Sequence, residues 1–155
     1  MCTLAYGQKK WATDAEFNNP RAAYFVNDTF VKSLIGVDVN AGSDIHVTKE
    51  NLETPLLING CEYSGKVTLT RNKDTEWVTL EDIHRQYCPE TEGAIVYMIN
   101  EYIITKDVAS YKLEKDYINK CEVLPGSDFE AFQGEAPFSI IRVFTKTNDK
   151  SMILR

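Results

Sequence analysis

Residues 94–105, Ala94-Ile95-Val96-Tyr97-Met98-Ile99-Asn100-Glu101-Tyr102-Ile103-Ile104-Thr105, form the most continuously apolar run in the chain, broken only at Asn100 and Glu101. A run this apolar has to be covered on nearly all sides, so the rest of the chain must supply the cover. Its β-branched residues, Ile95, Val96, Ile99, Ile103, Ile104 and Thr105, favour strand over helix. A helix is the competing reading, because Ile95, Met98, Ile99 and Tyr102 would share one face. As strand, residues 94–99 are apolar on both faces, which places them centrally in a sheet. The polar pair Asn100-Glu101 reads as a tight turn, making the run a buried hairpin. Helices over 80–87 and 107–121 are expected across one of its faces.

At 155 residues the chain has the length of one ordinary domain, 1–155. A chain this long buries enough surface to need no disulfide or metal. Hydrophobic residues make up 43% and charged residues 26%, the proportions of a soluble globular protein. No apolar run approaches the roughly 20 residues of a membrane span. Residues 1–11 hold no apolar signal core, so an unprocessed, cytoplasmic chain is expected. The net charge of −6, from 23 acids against 17 bases, argues against a phosphate backbone as partner. Lysines interleaved with the acids argue against a DNA mimic as well. Cys2, Cys61, Cys88 and Cys121 are far apart and form no C-x-x-C pair, so they read as reduced thiols.

Local punctuation divides the chain outward from the central run. Thr13-Asp14-Ala15-Glu16 fits a capping box, and Pro20 stops that short helix. Residues 22–26 and 29–34 read as strands around Asn27-Asp28, with a helix over 22–35 as the alternative. Residues 45–48 read as a short strand and 49–53 as one helical turn before Pro55. Asn59-Gly60 is the best two-residue turn in the chain. Residues 66–71 alternate apolar and polar as a half-buried strand does, and 76–79 return the chain after a turn at 72–75. Thr79-Leu80-Glu81-Asp82 reads as a helix start, with the helix ending before Pro89. Residues 106–121 carry two conflicting patterns. Leu113, Tyr117 and Cys121 follow helical spacing, while Tyr111-Lys112-Leu113-Glu114 alternates; helix is expected. A short helix from Ser127 to Gly134 and a closing hairpin of 138–145 with 151–154 complete the reading. Strands outnumber helices and connections are short. The expected class is therefore α+β: a compact domain, mainly antiparallel sheet, with the central strand or hairpin at 94–105 and a few short helices.

Few constellations carry chemistry. His84 and Cys88 stand i, i+4 on the expected helix and are the weak candidates for a metal pair or a Cys/His nucleophile, with Glu81 or Asp82 as orienter. The metal lacks a second ligand pair, and the thiol lacks an activating setting. No metal is expected. His46-Val47-Thr48 has the form of half a 2H phosphoesterase site, but His84 is followed by Arg85-Gln86 and supplies no second half. Glu81/Asp82 and Glu90/Glu92 offer oxygen ligands, with scattered surface acids as the commoner account. No glycine-rich phosphate cradle or serine elbow is present, so no cofactor is expected.

Asp128, Phe129, Glu130, Phe132 and Glu135 form the one stretch where acids lack nearby bases and aromatics lie between them. Turned outward, it would be an acidic-aromatic hook for a basic or grooved protein partner. Turned inward, Phe129 and Phe132 form one helical face on the core. The favoured function is a small, acidic, non-enzymatic protein-binding module, an adaptor or inhibitor that occupies a partner's surface. No nucleic acid and no membrane are expected as partners. A site of Cys/His or carboxylate chemistry assembled only by folding, and an accessory subunit of a larger assembly, are the alternatives. Rich in Lys, Asn, Thr and Ile, the composition is similar to that of small host-takeover proteins of tailed phages.

Overall fold

A computed structural model describes residues 12–91, 93–126 and 137–146. It is mostly sheet, with few helices. The expected helix after Ser127 and the second half of the closing hairpin lie outside the described residues.

The central run folds as read. Strand β7 (Ala94–Ile99) turns back on β8 (Tyr102–Ile103), pairing Met98 with Ile103 and Ile99 with Tyr102. Asn100 makes the turn in the left-handed region at φ 57. The polar break can be buried because strand β11 (Phe138–Thr145) satisfies it. The Asn100 amide donates to Thr145 Oγ1 at 3.1 Å and accepts from the Thr145 N–H at 2.9 Å, while its carbonyl accepts from Arg142 Nε at 2.7 Å. β7 is the middle strand of a five-stranded sheet. Its order is β10 (Ile118–Pro125), β11, β7, β8 and β1 (Ala12–Thr13).

Capping boxes start both α-helices where the sequence places them. In α1 (Asp14–Phe17) the Glu16 carboxylate accepts from the Thr13 N–H at 2.8 Å. In α2 (Leu80–Tyr87) Thr79 and Asp82 bond reciprocally at 3.0 and 3.1 Å. Leu80 and Ile83, three apart on α2, join Tyr97, Ile99, Tyr111, Leu113, Ile141 and Val143 in the larger core.

A second sheet takes the order β3 (Thr29–Phe30), β2 (Ala22–Val26), β5 (Cys61–Asn72), β4 (Ser43–Ile58). Asn27 at φ 51 turns β2 into β3, as expected. β3 is shorter than the expected 29–34, because Lys32 takes a left-handed φ of 67 and carries the chain off the sheet. A smaller core of Val26, Val31, Val37 and Leu69 lies against this sheet, with Ile45 and Trp77 packed on it.

Three expectations are corrected and a fourth is qualified. Residues 49–53 are not a helical turn: Lys49, Glu50 and Asn51 pair with Val67, Lys66 and Gly65, so the strand pattern of Ile45 and Val47 propagates through them. Residues 77–78 form β6, which pairs not with 66–71 but with β9 (Leu113–Glu114). Residues 106–121 are not a helix. They hold two short 3-10 turns around β9 and then enter β10, whose seven residue pairs with β11 outweigh the helical spacing of Leu113, Tyr117 and Cys121. The sheets are mixed: most ladders are antiparallel as expected, but β7 with β11, β1 with β8 and β2 with β5 pair in parallel. Among the described residues, no helix is long and apolar enough to cross a membrane.

Candidate functional site

His84 and Cys88 share α2 and its C-cap but face different partners. His84 Nδ1 lies 3.1 Å from the Tyr97 hydroxyl and Nε2 lies 3.1 Å from Thr91 Oγ1. Both ring nitrogens are therefore engaged, tying α2 to β7 and to the loop that joins the two. The Cys88 sulfur meets Cys121, at 3.4 Å, while the His84 ring bonds Tyr97 and Thr91. Among the described residues no three His, Cys, Asp or Glu side chains converge as a metal site would need. Asp82 is spent on the helix cap, and its hydrogen bonds to Thr79 hold its carboxyl below the usual range. His46 lies exposed on β4, with Thr70 donating to its carbonyl rather than to its ring. Asp128, Phe129, Glu130, Phe132 and Glu135 lie outside the described residues, as does Glu92.

The feature the sequence reading found only in part is β4, of which it read 45–48 as a short strand and 56–58 as a strand start. It is a 16-residue strand at the edge of its sheet, bonded to β5 on one side only among the described residues. In an antiparallel pair every second residue turns its N–H and C=O away from its neighbour, so this edge presents a row of unspent donors and acceptors. No residue of β4 is buried; twelve are exposed and four half-buried. Its apolar side chains include Val47, 55% exposed, and Leu57, 69% exposed. Edges are usually blunted by proline, charge or bulges. Here Pro55 lies between Asn51, paired with Gly65, and Leu56, paired with Tyr63, where the register shifts. The stretch from Ser43 to Asn51 contains no proline.

The ribbon of β4 and β5 is fixed at its turn. Asn59 and Gly60 make that turn at φ 50 and 82, and Asn59 Nδ2 donates to Ser110 Oγ at 3.4 Å. Beside it, Lys32 Nζ donates to the Tyr63 hydroxyl at 3.2 Å and to Asp107 Oδ2 at 3.3 Å. Burial works against the Lys32 ammonium. Its hydrogen bonds and charge contacts with Tyr63 and Asp107 outweigh burial, and its pKa lies above that of an ordinary lysine. Asp107, like Lys32, holds a left-handed backbone, at φ 55. A cleft of about 310 Å³ opens next to this clamp, lined by Asp14, Asn18, Cys61 and Thr105 among others. Its floor is rigid. Asp14 accepts from Thr105 Oγ1 at 2.9 Å and from the Tyr111 hydroxyl at 2.6 Å, and Asn18 Nδ2 donates to Tyr111 at 3.2 Å. Burial and the bond to Asp14 raise the Tyr111 pKa well above that of a free tyrosine.

At its far end the ribbon is anchored by charge. Arg71 and Glu114 form an ion pair at 2.7 Å with both side chains fully buried, and Lys73 reaches the other carboxylate oxygen at 2.9 Å. The sequence holds a faint signal of the edge, the alternation of Ile45 and Val47, but Lys49-Glu50-Asn51 and Pro55 mask its length. No family model matches the chain, and no curated protein or solved structure matches it either.

Proposed function

We propose that this chain is a non-enzymatic, acidic protein-binding module, an adaptor or inhibitor that occupies a partner's surface, and that the partner docks on the free edge of β4. The observation that carries the reading is the edge: a 16-residue strand, none of it buried, whose pairing with β5 shifts register near Asp44 and at Pro55 and whose other side is unpaired among the described residues. An extended segment of a partner added there gains main-chain hydrogen bonds along its length. Pockets for alternate side chains then set its identity. Val47 and Leu57 offer apolar contacts, and Asp44, Glu50 and Glu53 against the single Lys49 favour a segment carrying basic residues.

The test compares the full chain with Val47→Lys/Leu57→Lys. Both positions are mostly exposed, so the double variant is expected to keep its fold within the range of ordinary surface substitutions. The wild-type chain, immobilised in native lysate, should recover a stoichiometric protein partner identified by mass spectrometry. The variant should recover at least ten times less. Recovery of no stoichiometric partner, or equal recovery by a folded variant, rejects the proposal.

A further inference from the structure

Cys88 and Cys121 are 33 positions apart in the chain, yet their sulfurs lie 3.4 Å from each other. Cys88 is the C-cap of α2, its N–H bonded to the His84 carbonyl at 2.9 Å. Cys121 lies on β10, the outermost strand of the five-stranded sheet. The third described cysteine, Cys61, stands elsewhere, 3.8 Å from Asp107 Oδ2. A disulfide needs its sulfurs about 2.05 Å apart, so an approach of roughly 1.4 Å would close this pair. Cys88 is buried and Cys121 half-buried, so the pair is reached by a small oxidant from the Cys121 side.

We propose that Cys88 and Cys121 are an oxidation site, at which hydrogen peroxide or a similarly small hydroperoxide closes a disulfide that staples the end of α2 to β10. In the first step the Cys121 sulfur attacks one peroxide oxygen. The O–O bond breaks, Cys121 becomes a sulfenic acid, and the displaced hydroxide takes up the thiol proton and leaves as water. In the second step the Cys88 sulfur attacks the Cys121 sulfur. The S–O bond breaks and a second water leaves with the Cys88 proton. Two thiols lose two hydrogens and two electrons, and one hydrogen peroxide becomes two waters.

The pair closes slowly. Burial, reinforced by the hydrogen bond and charge contact with Cys88, pushes the Cys121 thiol up to about 12. The reactive thiolate is therefore scarce at neutral pH, and closure is slow compared with that of a free cysteine. The consequence is stability rather than turnover. Before oxidation, the end of α2 is held to the sheet by the His84 contact with Tyr97. The disulfide adds a covalent tie that closes a loop of 33 positions. Loop-closure entropy for that span corresponds to a rise in melting temperature of roughly 7–15 °C in a chain of this size.

The experiment treats the reduced full chain with hydrogen peroxide, maps its cysteines by peptide mass spectrometry and records thermal melts. The expected product is a monomer linked between Cys88 and Cys121, short of two hydrogens. It should melt roughly 7–15 °C higher than the reduced chain and revert with dithiothreitol. Cys121→Ala should lose the peroxide-dependent rise, and so should Cys88→Ala; if neither variant folds, mapping and melting of the wild-type chain decide alone. The proposal fails if Cys88 and Cys121 remain unlinked once Cys61 has oxidised, or if they accumulate as sulfinic acids. It fails equally if the linked chain melts no higher than the reduced one.

Discussion

Replacing Glu114 with alanine tests whether the buried charges beneath the ribbon are arranged as described. The Glu114 carboxylate accepts from Arg71 Nη2 at 2.7 Å, Lys73 Nζ at 2.9 Å and the Asp38 N–H at 2.9 Å, and its side chain has no exposed surface. Arg71 is equally buried, and its Nε already lacks a partner among the described residues. Its remaining N–H groups reach the Asp38 and Ala41 carbonyls and Thr75 Oγ1. Those oxygens are neutral. Removing Glu114 therefore strands a buried guanidinium with no counter-ion except what water can reach.

Breaking a buried pair by deleting one partner costs about 3–5 kcal/mol. In a chain of 155 residues that corresponds to a fall in melting temperature of roughly 6–20 °C. Lys73 keeps 17% of its side chain in solvent. Its truncation to alanine should cost much less than Glu114→Ala. Urea denaturation of both variants, with midpoints and slopes fitted to a two-state transition, measures the difference. The apolar double variant Arg71→Met/Glu114→Leu should recover most of the loss, because neither charge is then stranded. A cost below about 1 kcal/mol for Glu114→Ala, or one no larger than that of Lys73→Ala, would refute a solvent-free pair.

Gly36→Ala should destabilise by about 1–3 kcal/mol in the same assay, because an added Cβ would stand 2.6 Å from Leu113 Cγ, at the point where the Glu114 N–H bonds the Gly36 carbonyl. Thr79→Ala should cost about 1 kcal/mol, since Thr79 Oγ1 accepts from the Asp82 N–H at 3.1 Å at the start of α2. On the alkaline side, Tyr111, Lys32 and Lys73 all have folded pKa values raised above their ordinary ones. A raised folded pKa means that the unfolded chain loses the proton first. The stability these groups contribute is whole below their unfolded pKa and drains away above it, and urea midpoints should fall from about pH 10 upward. Tyr111→Phe should flatten that fall while lowering the midpoint at neutral pH, because Asp14 loses a donor. Proline placed singly at positions 47 and 48 should separate the two sides of β4. One substitution removes an N–H from the β5 ladder and lowers the melting temperature. The other removes an outward N–H, leaves the melt nearly unchanged and abolishes partner recovery.

What could be read in the sequence was what neighbouring residues decide among themselves. Thr79 with Asp82, Thr13 with Glu16 and Asn59 with Gly60 each depend on contacts a few positions apart, and each stands where the residue pattern puts it. The errors share the opposite cause. Glu114 lies 43 positions from Arg71, and Trp77 pairs with Glu114, so the alternation at 111–114 is decided by partners that local spacing does not contain. The same holds for β4. Lys49-Glu50-Asn51 has little strand propensity of its own and is extended because Val67, Lys66 and Gly65 of β5 supply a ladder. Helical spacing sets Cys88 beside His84, its neighbour at the end of α2. In the fold it meets a cysteine 33 positions away.

The clamp at the ribbon's turn bears on how an exposed edge could bind at all. Lys32 and Asp107, neither of them glycine, both hold left-handed backbones, at φ 67 and 55. Such conformations cost of order 1–3 kcal/mol each and persist where the surroundings over-determine them. Here the surroundings are each other: the Lys32 ammonium bridges Asp107 and Tyr63, and Tyr63 belongs to β5. With Asn59 of the turn bonded to Ser110 at one end and Arg71 held by Glu114 at the other, β5 is tied to the body at both ends. β4 has almost no burial of its own and inherits its position from β5 through the ladder. A strand presented in this way has already lost most of its freedom before a partner arrives. Strand addition to it then spends less of its binding energy on ordering, which is the condition under which a short edge contact is specific rather than adhesive.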